Sequence, residues 1–198
     1  MKTRLIPVLS NGHGGMIGGE YQTKGKRYTF KDGTTIYEGE YNRAVKARVL
    51  ERLTAKGIPF YDLVPEQKDI HRKTRISRAD YLYKKSKGRT FLIDLHSNAG
   101  GGHGCETWIA RRSSSKTKAL ANWTESLFKR HFPESRFRGV KRKDWDILAL
   151  TRNPAIILEL FFMDNGYECK KYLLTSEGRD RAAVYVVDVI EKFIEYHS

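Results

Sequence analysis

The chain has 198 residues, of which 37 are lysine or arginine and 23 are aspartate or glutamate, so its formal net charge is +14 at pH 7. This length fits one domain, residues 1–198, and two cysteines, Cys105 and Cys169, are too few for a disulfide framework, although they could pair. No apolar run approaches the roughly 20 residues that span a bilayer, and the positive charge favours a polyanionic partner such as nucleic acid, anionic lipid or an acidic cell-wall polymer.

The first apolar segment, Leu5–Leu9, predicts a short strand, and Pro7 within it is typical of a sheet edge or a local irregularity. The strand is followed by the glycine-rich string SNGHGG, which contains His13. Glycine allows the backbone to approach closely whatever the histidine faces. The spacing and the lysine of a Walker phosphate loop are absent, which excludes that class of nucleotide site.

Two acidic residues, Glu38 and Glu40, stand at or just before the start of a predicted helix, Tyr41–Lys56. Acidic side chains near a helix N-terminus interact favourably with the helix dipole, so position alone favours a structural role for both. The preceding segment, residues 16–37, contains a predicted hairpin around Lys31-Asp32-Gly33.

Strands and helices alternate along the rest of the chain. The predicted strands are Pro59–Val64, Phe91–Leu95, Glu106–Ala110 and Ala155–Leu160, and the predicted helices are Thr74–Lys87, Ser114–Phe132 and a last helix from Thr175 or Ser176 to about Tyr196. This alternation predicts an α/β fold with a mostly parallel sheet and helices on both faces.

Two polar residues stand out beside the apolar strands. His96 follows Phe91–Leu95, and ligands of open α/β sheets bind beyond the carboxyl ends of the strands. Glu159 interrupts Ala155–Leu160, where a carboxylate is costly unless it is paired. The alternatives are a structural histidine at a strand end and a buried salt bridge between the glutamate and an arginine.

Together, His13, Glu38 and His96 are two imidazoles and one carboxylate, a common ligand set of catalytic zinc that leaves a position open for water. A second carboxylate that is not a ligand could then accept the proton of the water and pass it to a leaving amine, and Glu159 fits that role. The spacings are long, so the four residues form no local motif.

Four segments of the chain resemble, in order, the zinc-dependent N-acetylmuramoyl-L-alanine amidases of the type-three class. VLSNGHGG resembles the opening strand and DPGHGG-type loop of that family, and FLIDLHSNAG is similar to its SIHANA string. YEGEYNRAVKARVLERL resembles the segment in which a glutamate ligand precedes an asparagine by four residues. NPAIILELFFMDN resembles the PAVLVEXGFXSN string, where X is any residue, and RISRAD echoes the RxxxAN helix.

The resemblance implies one zinc ion bound by His13, Glu38 and His96, with Glu159 as the catalytic glutamate. It also implies a twisted, mostly parallel sheet flanked by helices, and cleavage of the amide between the lactyl group of muramic acid and the L-alanine of the stem peptide. The expected partner is therefore peptidoglycan, an anionic cell wall.

The family pattern favours Glu38 over Glu40 as the ligand, because Glu38 stands four residues before Asn42. Glu106 resembles a glutamate that follows a GxE loop in the family, which implies a supporting role near the site.

Other features depart from the pattern or lie outside it. Phe161-Phe162 replaces the usual Gly-Phe, so we expect a narrower or reshaped site near the catalytic glutamate. Residues 16–37 are longer than a minimal family loop, and we expect a lid on the substrate side. His103 and Cys105 could bind a metal, but two nearby residues without further partners more often form an ordinary loop.

Two other functions compete with this interpretation. A zinc carboxypeptidase or another amidohydrolase could use the same ligands on a different amide. The charge alone would allow a basic nucleic-acid-binding domain, but the chain has no recognisable groove-reading helix or aromatic platform for single strands, so no nucleic-acid partner is expected.

The N-terminal residues lack an apolar stretch long enough for a secretory signal. We therefore expect a phage or prophage lysin (an endolysin) that reaches the wall through a holin or at lysis, or else an exported form whose leader has been removed.

Overall fold

The computed structural model describes residues 4–197. The strands are, in chain order, β1 (Ile6–Asn11), β2 (Met16–Ile17), β3 (Glu20–Tyr21), β4 (Arg27–Thr29), β5 (Thr35–Tyr37), β6 (Tyr61–Asp62), β7 (Thr90–Asn98), β8 (Cys105–Ile109), β9 (Phe137–Arg142) and β10 (Ala155–Phe162). The helices are α1 (Glu38–Ala55), α2 (Arg72–Lys85), α3 (Ser115–His131), α4 (Asp146–Ala149), α5 (Gly166–Glu168) and α6 (Ser176–Tyr196), and a π-helical turn, Cys169–Leu173, precedes α6.

Six strands form the central sheet in the order β6-β1-β7-β10-β8-β9. Every neighbouring pair is parallel except β10 and β8, which are antiparallel. The other four strands make two small hairpins, β2-β3 and β4-β5, between β1 and α1. The predicted α/β fold with a mostly parallel sheet is confirmed, as is the hairpin around Lys31-Asp32-Gly33.

Each face of the sheet has its own core, which also confirms helices on both faces. The larger core packs α1, α3 and α6 against one face, and the smaller packs α2 and α4 against the other. Side chains of a strand alternate between faces, so Phe91, Ile93 and Leu95 enter the larger core while Leu92 enters the smaller one. Asp94 and His96 therefore share the face of the smaller core.

Two strands of the central sheet differ most from their predictions, and the edge strand β9 was not predicted. β7 continues to Asn98, so His96 lies inside the strand rather than after it. The predicted strand Pro59–Val64 is reduced to Tyr61–Asp62, which pairs only with Val8 and Leu9 of β1. Within residues 4–197, no strand pairs with Pro7 on that side, so a proline, which lacks an N–H, is accommodated there.

The third difference is β9, which no prediction covered. It consists of the sequence FRGVKR at the sheet edge. Charged side chains are typical of edge strands because they discourage pairing with another chain, and they also hide the apolar alternation by which strands are recognised.

Phe161 corrects the expectation of a narrowed site. It has a φ of +67°, in the left-handed region, at an irregularity in β10. This backbone turns its ring into the larger core, where it stacks on Tyr172 with ring centroids 4.3 Å apart. Because that core lies on the other face of the sheet, the ring of Phe161 does not narrow the site.

The two cysteines do not pair. Cys105 and Cys169 are free thiols, and both are buried in the larger core. Within residues 4–197, no helix has the length and apolar character needed to cross a membrane.

Candidate metal centre

His13, Glu38 and His96 meet at one end of the sheet. One potential ligand atom from each residue lies within 4.8 Å of those of the other two. Nε2 of His13 is 3.3 Å from Oε2 of Glu38, and Nδ1 of His96 is 3.0 Å from Oε1 of the same carboxylate. Three residues that are far apart in sequence are thus joined through a single buried carboxylate.

The loop after β1 is held so that His13 faces this carboxylate. His13 has a φ of +66°, in the left-handed region that non-glycine residues rarely adopt. Asn42 and Arg43 of α1 fix the loop by donating hydrogen bonds to the carbonyl oxygens of Gly12 (3.2 Å) and His13 (3.0 Å). A Cβ atom at Gly12 would overlap the ring of His96, so this position requires glycine.

Glu38 is the first residue of α1, and residues 16–37 hold it in place. Its N–H donates to the carbonyl oxygen of Lys26 (2.9 Å), and the N–H of Gly39 donates to the hydroxyl of Tyr21 (2.9 Å). Burial raises the pKa of the Glu38 carboxyl, but the two adjacent histidines outweigh this effect and hold the pKa well below its ordinary value. The carboxyl is therefore ionised, as a metal ligand must be.

Glu40 lies apart from the two histidines. Its carboxylate accepts a hydrogen bond from the N–H of Met16 (2.8 Å) and so supports the glycine-rich loop. Of the two glutamates that compete for the ligand position, only Glu38 contacts the histidines within the described residues.

Asp94 is a site residue that the sequence interpretation missed. It lies two residues before His96 on the same face of β7, and its Oδ2 is 3.4 Å from Nε2 of that ring. Burial lowers the pKa of His96, but Asp94 and Glu38 together raise it well above its ordinary value. The two-residue period of a strand was the available signal, because it places both side chains on one face.

Glu159 lies beside His96 in the parallel register of β10 and β7. Its Oε2 is buried without a hydrogen-bond partner, and it forms no ion pair within residues 4–197. The alternative of a buried salt bridge to an arginine is therefore not observed. Burial raises the pKa of this carboxyl to about 7; the positive charge of His96 opposes the shift, and Glu38 adds to it.

Glu106 pairs with Glu159 across β8 and β10, but its surroundings differ. It accepts hydrogen bonds from Asn98 (2.9 Å), the indole N–H of Trp108 (2.9 Å) and Arg138 (2.8 Å), and it also contacts Lys141. Burial raises the pKa of Glu106, but these donors lower it by more, so the pKa lies below its ordinary value. The oxygens of Glu106 therefore already accept hydrogen bonds from these donors, whereas the Oε2 of Glu159 accepts none.

Two adjoining cavities, of about 990 and 400 Å³, open on these residues. His13 and His96 line the larger cavity, Glu38 lines the smaller, and both share Lys26, Trp145 and Glu159. The cluster therefore lies where the two cavities join.

The cluster fits a zinc ion. Two imidazoles and a carboxylate are a standard set for catalytic zinc, and ligands about 2.0–2.2 Å from one tetrahedral ion lie slightly more than 3 Å apart. The buried Nε2 of His13 faces the Glu38 carboxylate at 3.3 Å without the geometry of a good hydrogen bond, as two ligands of one metal would. His103 and Cys105 do not form a second such site, since His103 is exposed and Cys105 lies in the larger core.

The sequence matches a family model described as N-acetylmuramoyl-L-alanine amidase over residues 8–192. The chain belongs to the N-acetylmuramoyl-L-alanine amidase family. The resemblance inferred from the four segments is thereby confirmed.

Relatives and solved structures agree with this membership. The chain is 30% identical over 207 residues to an uncharacterised cell wall amidase of Bacillus anthracis, a match that covers 96% of this chain and 35% of that protein. It is 26% identical over 167 residues to the Bacillus subtilis protein YqiI, covering 82% of this chain and 77% of that one. The chain thus spans about a third of the length of the first relative.

The fold is similar to the crystal structure of an N-acetylmuramoyl-L-alanine amidase from Clostridium difficile 630. The TM-score is 0.80 at 20% identity, and the match covers 98% of both chains. At this identity the likeness establishes the amidase fold.

Proposed function

We propose that this amidase-family chain is a peptidoglycan hydrolase that cleaves the amide between N-acetylmuramic acid and the L-alanine of the stem peptide. The observation that carries the proposal is the meeting of His13, Glu38 and His96 with the unpaired carboxyl of Glu159 at the junction of two cavities. We assign one zinc ion to the first three residues and the role of general base to Glu159.

Zinc in such a site supplies Lewis acidity, which polarises the scissile carbonyl and lowers the pKa of water from 15.7 toward about 7. The chain supplies the proton transfer. Glu159 accepts a proton from the attacking water as the new carbon–oxygen bond forms, and it delivers that proton to the alanine nitrogen as the carbon–nitrogen bond breaks. A carboxyl with no other partner can perform both transfers, which is why we assign this role to Glu159 and not to Glu106.

Asp94 orients His96 in this proposal. A carboxylate that hydrogen-bonds the second nitrogen of a ligating histidine fixes the ring and increases its basicity. Here Glu38 contacts Nδ1 of His96, and Asp94 contacts Nε2. Asp94 therefore holds the ring proton on Nε2 and leaves the lone pair of Nδ1, on the side of Glu38, for the metal.

The proposed substrate suits the charge of the chain. A formal net charge of +14 raises the encounter rate with an anionic wall and the retention on it, both in a salt-dependent way. We propose residues 1–198 as one catalytic domain that acts at the cell wall. A phage or prophage lysin released at lysis or through a holin would reach it, and an exported enzyme would reach it by secretion.

The test is hydrolysis of purified peptidoglycan by the zinc-loaded protein, with and without a chelator. We expect new L-alanine amino termini that disappear with the chelator and return with added zinc. Absence of release by zinc-loaded protein would refute the proposal. Mass spectrometry of the fragments separates it from a zinc carboxypeptidase, which would shorten the stem peptide from its far end and leave the sugar attached.

A further inference from the structure

The smaller cavity has an aromatic wall that the proposed hydrolysis does not use. Trp108 of β8 and Trp145, the residue before α4, line it, and their ring centroids are 4.8 Å apart. Both side chains pack against the smaller core with one part and are exposed to the cavity with the other. The exposed parts offer apolar contact to a ligand in the cavity.

Trp108 is held rigidly. Its indole N–H donates to Glu106 (2.9 Å), and Asn98 donates to the same carboxylate oxygen (2.9 Å). The ammonium of Lys141 contacts Glu106 and also lies 5.3 Å from the centroid of the Trp108 ring. A buried carboxylate with four donors thus fixes the orientation of the Trp108 ring before any ligand arrives, which lowers the entropic cost of binding.

Trp145 extends this wall to the catalytic carboxyl. It lines both cavities together with Glu159, and the ammonium of Lys143 lies 5.0 Å from its ring centroid. Asn98 and Lys143 add polar groups to the lining of the smaller cavity. The cavity therefore combines two aromatic rings, inclined at 45° to each other, with hydrogen-bond donors around them.

A sugar ring has complementary chemistry. One of its faces presents C–H groups that pack on an aromatic ring, while its hydroxyl and acetamido groups project at the rim and form hydrogen bonds. The volume of about 400 Å³ lies in the range of ligand cavities, about 300–1,000 Å³.

The larger cavity has different chemistry. Charged and polar side chains of both signs line it beside apolar ones: Asp69, His71, Arg72, Arg75, Asp144 and Asp146, with Ile70, Ile147 and Ile157. Such a lining suits a peptide that carries carboxylates, amines and aliphatic groups, and Trp145 is the one indole among its lining residues.

We propose that the smaller cavity is a saccharide subsite in which the muramoyl ring packs against Trp108 and Trp145, while the stem peptide occupies the larger cavity. The inference rests on the proposed function, because an amide that joins a sugar to a peptide must lie between two such cavities. Glu159, which lines both, is then adjacent to the scissile bond.

Nuclear magnetic resonance of the tryptophan indole N–H groups tests this subsite without any activity measurement. The chain has three tryptophans, and Trp123 serves as the internal control because it lies on α3 beside Tyr196 and Lys192, outside both cavities. The zinc-loaded protein is titrated with a peptide-free disaccharide that contains N-acetylmuramic acid.

We expect the signals of Trp108 and Trp145 to shift and that of Trp123 to stay unchanged. Three results would each overturn the proposal. The first is no shift, the second is an equal shift of all three signals, and the third is a shift of Trp108 with the sugar-free stem peptide but not with the disaccharide. The titration measures binding and needs no hydrolysis. A failure of the proposed hydrolytic activity can therefore be distinguished from a failure of the saccharide subsite.

A kinetic comparison of two substrates provides the second test. The first substrate is a muramoyl peptide, and the second is a lactoyl peptide with the same scissile amide and no sugar. In Trp145→Leu we expect kcat/KM to fall about 10-fold more on the muramoyl peptide than on the lactoyl peptide. Trp123→Leu is the matched control and should not change this ratio, and equal losses of Trp145→Leu on both substrates would overturn the subsite.

Discussion

The two faces of the central sheet are built from the same strands but differ in how completely they are covered. Toward α1, α3 and α6, side chains such as Leu95 and Leu158 are buried in the larger core. Toward α2 and α4, the same strands carry apolar side chains only in their N-terminal parts, as at Leu92 and Ile157. Beyond these positions the second face carries Asp94, His96 and Glu159.

This difference shows how one sheet supplies both stability and chemistry. Many of the buried polar atoms without a hydrogen-bond partner belong to the site or its immediate surroundings: Ser10 Oγ, Asn11 Oδ1, His13 Nε2, Asp94 Oδ1 and Glu159 Oε2. Such atoms cost stability. The larger apolar core on the opposite face offsets that cost, so substitutions on the two faces should have separable consequences.

The largest expected effect concerns Glu159. Removing a general base lowers rates by about 10²–10⁴-fold, so Glu159→Gln should lose nearly all amidase activity while it binds zinc stoichiometrically. Metal analysis and initial rates on a muramoyl peptide measure the two properties separately. Activity within about threefold of the parent would show that another residue is the general base, since a difference of this size is roughly the scatter of single-residue effects.

The next prediction uses neighbouring residues on opposite faces. Leu95→Ala should lower the free energy of unfolding by about 2–5 kcal/mol, because it opens a cavity in the larger core, yet it should still bind zinc. His96→Ala should abolish zinc binding, and in the metal-free protein it should also lower stability at neutral pH, because the buried carboxylates of Glu38 and Asp94 lose a shared partner. Urea titrations with a chelator present measure stability, and metal analysis measures zinc. A loss of zinc in Leu95→Ala, or full zinc binding by His96→Ala, would contradict the separation of the two faces.

Asp94 should have a smaller effect on the same face. Because it orients His96, Asp94→Asn should weaken zinc affinity by about 10–100-fold, as measured by competition with a chromophoric chelator. Glu40→Gln is the matched control, since a glutamine oxygen can still accept the hydrogen bond of the Met16 N–H, and its zinc affinity should equal that of the parent. Equal weakening in both variants would contradict the roles assigned to Asp94 and Glu40.

The smallest expected effect is a pH dependence of the free energy of unfolding of the metal-free protein. The pKa of Glu159 is raised to about 7 by burial, so its stabilising contribution is complete below the ordinary carboxyl pKa and is lost as the pH rises through about 7. Relative to the parent, Glu159→Gln should therefore gain roughly 1–2 kcal/mol of stability between pH 5 and pH 8. Urea titrations at both values measure this gain, and a constant difference would contradict the raised pKa.

Much of the fold follows from the sequence, because strand and helix periodicities depend on local residue order. The apolar runs around Leu92 and Ile157 identify the central strands, and turn residues mark where they end. Because parallel strands bring their carboxyl ends to one edge, the sequence also identified His13, His96 and Glu159 as candidate site residues. Their roles as ligands and base stay predictions, and the structure adds that they lie together.

The family resemblance favoured Glu38 over Glu40, but the physical reason for the difference lies in the tertiary structure. Both stand at one helix start, two residues apart, and side chains at that spacing point in different directions from a helix. Only the packing of α1 against the sheet decides which of them meets the histidines, and the other supports a loop.

The same reason applies to the remaining features that the sequence did not indicate. Asp94 becomes a partner of His96 through the pleat of β7, and Phe161 turns into the larger core through a left-handed backbone. Trp108 and Trp145 meet only because β8 and the turn before α4 adjoin in space. Sequence determines which side chains are available for the site, and long-range packing determines which of them meet, because the distances between them depend on the whole fold.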